Sequence, residues 1–459
     1  MCQATATPSL SYEELLHQSR PAIVDISGLS PYAEHLASQP EARHSHVGFF
    51  GYGSTKAGDR VLIAVDTEYD PIVPNAIAKA LRARGAKVDI ITVDKGFNKE
   101  FDELDEIRVS IRRESWNTNP RRWEGTPWIE ELAGTKKYDL LIHGKGGPVA
   151  PSSYRYAMIP WLGVDHFAGP STIYPRDLQK LINVKSWANL WGKGRGGKVR
   201  ISDPEGTDFS FTLLEEYYDG RYGFTDTPHW GHMFSHPTLP IHERDDATGI
   251  VKGTTNHFSR PFPQITVHLE NCAVTKVEGG NEYGAAWREV LEETKNIKYP
   301  SFPRPGLFWL WEAAIGTNPK IRRPPNIHLH SSGGHEWERR RAGVIHLGFG
   351  TGWRGPEERY AIEHGLTYGH LHVHLLFPTV EVTTKSGETL KVIERGRLNA
   401  FDDPEVRGLA TKYGDPDELL RVDWIPEIPG VSAPGSYAEY AKNPVPWHYK
   451  DKERGAGAA

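Results

Sequence analysis

Three histidines, His370, His372 and His374, occupy alternate positions in the apolar run Tyr368 to Pro378. A β-strand turns such alternation into one row of side chains on a single face. Adjacent imidazoles on a strand face cost desolvation and give up apolar packing, so a segment that served only a core would carry Val, Ile or Leu here. A transition metal explains the row economically, because neutral imidazole is its commonest protein ligand. The competing explanation is a solvated strand face in a chain with 21 histidines. Further groups of ligand type lie upstream in apolar or glycine-rich frames: Gly231-His232-Met-Phe-Ser-His-Pro237, Trp311-Glu312-Ala-Ala-Ile-Gly-Thr-Asn-Pro319 and Gly343-Val-Ile-His346-Leu-Gly-Phe-Gly350. Any metal must be held by nitrogen and oxygen, since the only cysteines are Cys2 and Cys272.

The elements that position these groups are readable from periodicity. Residues 59 to 94 form a β-α-β pattern: strand Val61 to Val65, a helix from Pro74 to Arg84 with Ala76, Ile77, Ala80 and Leu81 on one face, Gly85 as its cap, and strand Val88 to Val93. This is a parallel α/β beginning, and the absence of G-x-G-x-x-G after its first strand gives no support to a dinucleotide site. A third buried strand, Asp139 to Ile142, runs into His143 at the end where open α/β sheets place ligand groups. His143 is therefore a candidate to reach a pocket, the alternative being a loop histidine beside a turn. The segment Gly192-Lys-Gly-Arg-Gly-Gly-Lys198 lacks the ending of a phosphate loop and reads as a flexible link between domains. Beyond it strands dominate, interrupted by helices near Tyr283 to Thr294 and Glu357 to His364. The expected division is an N-terminal extension over 1–54, a Rossmann-like α/β domain over 55–195, a β-rich metal-binding domain over 196–398 and a C-terminal extension with a frayed end over 399–459.

Composition narrows the function. With 459 residues, 38% of them hydrophobic, the chain can build two cored domains. Its net charge of −5 comes from interspersed acids and bases, so nucleic acid is not an expected partner. The sequence shows neither a secretory start nor an apolar run of membrane-spanning length, and the expectation is a cytoplasmic protein. Fourteen tryptophans, among them Trp309 with Trp311 and Trp337 with Trp353, are a supply of flat rings for cores or for pockets that take flat ligands.

Over roughly residues 55 to 385, in short islands, the wording of the chain resembles the M29 aminopeptidases (the thermophilic aminopeptidase family), whose fold also includes the ring-cleaving 2,5-dihydroxypyridine dioxygenases. The specific phrases are Lys198-Val-Arg-Ile-Ser-Asp-Pro-Glu-Gly-Thr-Asp-Phe-Ser-Phe211 and Ile315-Gly-Thr-Asn-Pro319. The resemblance implies a Rossmann-like parallel-sheet domain followed by a β-rich α+β metal-binding domain, and a homodimer. It implies metal-ligand roles for Glu312, His346 and His372. Two carboxylates of the peptidase pattern are replaced, by His232 and His374, and the peptidase tyrosine falls on Trp353. Imidazole does not bridge two cations as carboxylates do, so these departures favour a single divalent ion, with His232, His346, His372, His374 and at most Glu312 as its expected ligands. Fe(II) is favoured, with Zn, Mn, Co or Cu as alternatives. The expected function is a non-haem iron dioxygenase that opens a small aromatic ring with O₂. Trp309, Trp311 and Trp353 would then line the substrate, and His143 or His370 would serve as general base. The alternative is an M29-like metallohydrolase in which Glu312 accepts the proton of a bound water.

Overall fold

The computed structural model describes residues 25–39, 42–45, 48–66, 69–93, 125–143, 153–159, 161, 163–215, 232–234, 246–256, 261–300, 302–322, 338–350, 356–367 and 370–447. Helix α1 (Ile26–Ser38) starts at Asp25, whose carboxylate accepts from the N–H groups of Ser27 and Gly28 and so satisfies its first turn. A short antiparallel pair follows, β1 (Ala42–Ser45) with β2 (Gly48–Phe50). Strand β3 (Arg60–Asp66), α2 (Ile72–Ala83) and β4 (Lys87–Val93) are the β-α-β unit that the periodicity predicts. Helix α3 (Gly125–Thr135) leads into β5 (Leu140–His143), and β6 (Arg155–Met158) completes a parallel sheet of order β4-β3-β5-β6.

Alternation decides how this sheet is covered. Val61, Ile63 and Val65 of β3, with Leu140 and Ile142 of β5, share a core with α1 and α2; Leu62, Ala64 and Leu141 pack with Ile129 and Ala133 of α3. Both faces are buried, which is why these strands read as unbroken apolar runs. Within the expected N-terminal extension, Leu29, Tyr32, Ala33, Leu36 and Ala37 of α1, with Tyr52, pack in this first core. Core membership changes just before α4 (Arg176–Trp187): Ile173 packs in the first core, and Tyr174, Leu178 and Ile182 pack in the second. The glycine-rich segment beyond α4 is a fixed turn, not the flexible link expected. Gly196 N–H donates to Leu213 O at 2.8 Å and Gly197 N–H to Gly194 O at 2.7 Å. A Cβ on Gly197 would lie 2.5 Å from Thr383 O, so close backbone approach explains the glycine.

The rest of the chain is β-rich. In order come β7 (Lys198–Ser202), β8 (Asp208–Thr212), β9 (His232–Phe234), β10 (Thr248–Thr255), β11 (Pro261–Glu270) and β12 (Ala273–Gly279). After α5 (Asn281–Thr294) follow β13 (Leu310–Gly316), β14 (Ile345–Gly350), α6 (Pro356–His364), β15 (His370–Leu375), β16 (Thr379–Thr383), β17 (Thr389–Glu394) and β18 (Arg397–Leu398). They form an eight-stranded antiparallel sheet, β12-β11-β10-β8-β7-β16-β17-β18, and a four-stranded one, β15-β14-β13-β9. The back of the small sheet is apolar: Leu371, Val373, Leu375, Ile345, Leu347, Phe349, Ala313 and Ile315 all belong to the second core. It packs closely on the large sheet, since a Cβ on Gly253 of β10 would sit 2.5 Å from Val373 Cγ1.

The C-terminal stretch is packed as well. Ala400, Phe401 and Val406 join the second core with Leu419 and Leu420, while Ile428 and Tyr440 close over Val344, Leu376 and Phe377. These residues of the expected C-terminal extension pack against the β-rich strands; the expected frayed end lies outside the described residues. Among the described residues no helix is long and apolar enough to cross a membrane.

Candidate metal centre

The register of the small sheet assembles the candidate site. Strand β15 pairs with β14 so that His374 stands opposite His346, His372 opposite Gly348 and His370 opposite Gly350. Strand β13 adds Ala314 opposite His346 and Glu312 opposite Gly348. Directly opposed residues share a face, and this face is the reverse of the one buried against the large sheet. Gly348 sits between His372 and Glu312 without a side chain, which leaves room between an imidazole and a carboxylate.

Glu312, His346 and His372 each offer one donor atom within 4.8 Å of the others, and all three residues are buried. His346 Nε2 lies 3.4 Å from Glu312 Oε2, and the rings of His346 and His372 stack at 4.5 Å between centroids and 24° between planes. Two donors about 2.1 Å from one ion are separated by about 3.0 Å at a right angle and about 3.4 Å at the tetrahedral angle. The His346–Glu312 spacing matches that requirement. The chemistry of the set also fits a cation: one carboxylate supplies charge and two neutral imidazoles supply lone pairs. Strand β15 is an edge strand, and the Tyr283 hydroxyl of α5 satisfies its backbone at this point. It donates to His372 O at 2.8 Å and accepts from His372 N–H at 3.2 Å, fixing the ligand strand. Burial pushes the Tyr283 phenol well above its ordinary pKa, which keeps it a donor.

His374 stands differently from its two expected companions. Its Nε2 is 2.8 Å from His346 Nδ1, and its Nδ1 is 2.6 Å from Glu338 Oε1. Both nitrogens face protein groups, so the grouping of three donors contains Glu312 where the strand pattern alone suggested His374. Glu338, fully buried, was not anticipated from the sequence.

The remaining candidates fall outside this cluster or outside the described side chains. His232 lies on the outer strand β9 opposite Gly316, and Phe234, not His232, falls in the row of His346 and His374. The side chains of His232, His370 and Trp311 are not among those described, and Trp353 lies outside the described residues. His143, at the end of β5, is buried in the parallel sheet between Ala64 and Met158 and is not in the three-donor group. Trp309 does not fulfil its expected role as a pocket wall. Its ring belongs to the second core, 6.0 Å from Phe302 with the Arg304 guanidinium 5.6 Å from its centre, and its indole N–H donates to Gly306 O.

A second buried carboxylate cluster lies on the β7–β8 turn. Asp203 accepts from the N–H groups of Glu205 and Phe377 at 2.8 and 3.0 Å. Glu205 accepts from the hydroxyls of Thr254 and Tyr437 at 3.0 and 3.1 Å. Burial raises both carboxyls above their ordinary range, and Glu205 is pushed further by the charge of Asp203.

Among solved structures the chain is similar to 2,5-dihydroxypyridine dioxygenase from Pseudomonas putida KT2440, at 15% identity and a TM-score of 0.49, over 84% of this chain and 100% of that one. It is also similar to wild-type AmpT from Thermus thermophilus, at 13% identity and a TM-score of 0.44, over 81% of this chain and 98% of that one. No family model matches the sequence, and no curated protein does.

Proposed function

We propose that this chain is a metal-dependent enzyme, specifically a mononuclear non-haem iron dioxygenase acting on a small hydroxylated aromatic or heteroaromatic ring. The observation that carries this reading is the donor set: two imidazoles, His346 and His372, and one carboxylate, Glu312, on one buried sheet face. Two histidines and a carboxylate with further positions left open are the ligand set of ferrous oxygenases. When bound, the ion would supply open coordination positions and the redox chemistry that O₂ requires. The protein's own part would be to hold the donors in place on paired strands and to exclude bulk water by burial. His370, paired with Gly350 in the register of β15 and β14, and His143 are the proposed candidates to take a proton from a ring hydroxyl. Trp353 remains a proposed contributor, as pocket wall.

The same donor set also holds catalytic zinc in hydrolases, which sustains the metallohydrolase as the second reading. One assay separates them. The chain loaded anaerobically with Fe(II) and given dihydroxylated pyridines or benzenes should consume O₂ only when ring substrate is present. Release of amine from peptides or amides under anaerobic conditions, with no O₂ uptake on any ring, would replace the oxygenase with the hydrolase.

A further inference from the structure

Glu338, His374, His346 and Glu312 form one buried line. The contacts along it are 2.6 Å from Glu338 Oε1 to His374 Nδ1, 2.8 Å from His374 Nε2 to His346 Nδ1 and 3.4 Å from His346 Nε2 to Glu312 Oε2. All four residues are at most 4% exposed. The order of protons along this line follows from what each group can do. An ionised carboxylate only accepts, so Glu338 requires the His374 proton to sit on Nδ1. The Nε2 of a neutral His374 then carries a lone pair and accepts from Nδ1–H of His346. His346 is left with its lone pair on Nε2, the nitrogen that faces Glu312. Were the tautomers reversed, His374 Nδ1 would present a lone pair to the carboxylate at 2.6 Å, which is repulsive. A lone pair and a carboxylate oxygen 3.4 Å apart leave a place for a cation.

We propose that Glu338, acting through His374, is a positioning residue that sets the tautomer of His346 and makes its Nε2 a metal donor, so that His374 works behind the metal site and not in it. This rests on Glu312, His346 and His372 being the metal donors. A carboxylate that orients a metal-bound histidine is a recurrent outer-shell arrangement; here a second imidazole is inserted between the two.

The test titrates the metal-free full-length chain with Co²⁺, read by the visible absorption of the bound ion and by competition with a chelator, for wild type, Glu338→Gln, His374→Gln and His346→Ala. Glu338→Gln can donate to His374 Nδ1 and permit the reversed tautomers, so Co²⁺ affinity should fall about 10- to 100-fold with one ion still bound. His374→Gln keeps an acceptor for His346 Nδ1–H, so the Co²⁺ spectrum should be preserved and affinity should fall by less than about tenfold. Wild-type affinity in Glu338→Gln, or a changed spectrum in His374→Gln with a loss as large as that of His346→Ala, would overturn the relay while leaving the metal site standing. Wild-type affinity in His346→Ala would overturn the site and the relay with it. The two glutamine variants decide independently, so failure of one to fold leaves the other to rule.

Discussion

Glu312 and Glu205 are carboxylates of the same β-rich unit, each 4% exposed, yet their surroundings differ in kind. Around Glu205 the hydroxyls of Thr254 and Tyr437 donate to its oxygens, and the adjacent Asp203 is held by two backbone N–H groups. Beside Glu312 the neighbour is an imidazole nitrogen, which can equally present a lone pair, and a second imidazole stacks on the first. A carboxylate ringed by donors is satisfied as it stands. A carboxylate that faces an imidazole nitrogen is suited to share a cation with it. Burial is therefore a weak marker of a metal site, and the identity of the facing groups is a strong one.

The sharpest way to break this contrast is to exchange the roles of the two clusters. His346→Ala should lower Co²⁺ affinity by more than about a hundredfold, beyond the range of an outer-shell change. Glu205→Gln, which keeps an acceptor toward Thr254 and Tyr437, should retain wild-type affinity and a single ion. Equal losses in the two variants, measured by chelator competition, would mean that the clusters act as one site.

A smaller effect concerns pH. The raised carboxyl of Glu205 binds its proton more tightly in the folded chain than in the unfolded one. Its contribution to stability is accordingly complete below the ordinary carboxylate pKa and is lost as pH rises through the raised folded value. Denaturant unfolding of the metal-free chain should show stability declining with rising pH over that interval, and Glu205→Gln should flatten the decline. An unchanged slope in the variant would assign the decline to other groups.

Much of the architecture was legible because it depends on local pattern. The alternation in β3 and in the His370–His374 run, and the helical spacing in α2, reflect burial on one face or two, which a single segment reveals. The alternation correctly put three histidines on one strand, yet it could not say what each would meet. That was decided by Glu338, 36 residues before His374. Glu338 opens the run Glu338-Arg-Arg-Arg341, which has the texture of a solvated surface. In the fold Arg340 and Arg341 are buried, and the Arg341 guanidinium donates to Leu376 O between the rings of Phe377 and Trp424. Gly197 was misread for a similar reason: its lack of a side chain answers a contact with Thr383 O, not a need for mobility.

The central claim is that one ion is held by Glu312, His346 and His372, and anomalous scattering from crystals grown with Co²⁺ or Fe(II) tests it most directly. The account predicts a single peak about 2.0 to 2.3 Å from a Glu312 carboxylate oxygen, His346 Nε2 and a ring nitrogen of His372, with His374 still bonded to Glu338. A peak bound between His374 Nε2 and His346 Nδ1, or two peaks about 3.5 to 4 Å apart, would contradict it.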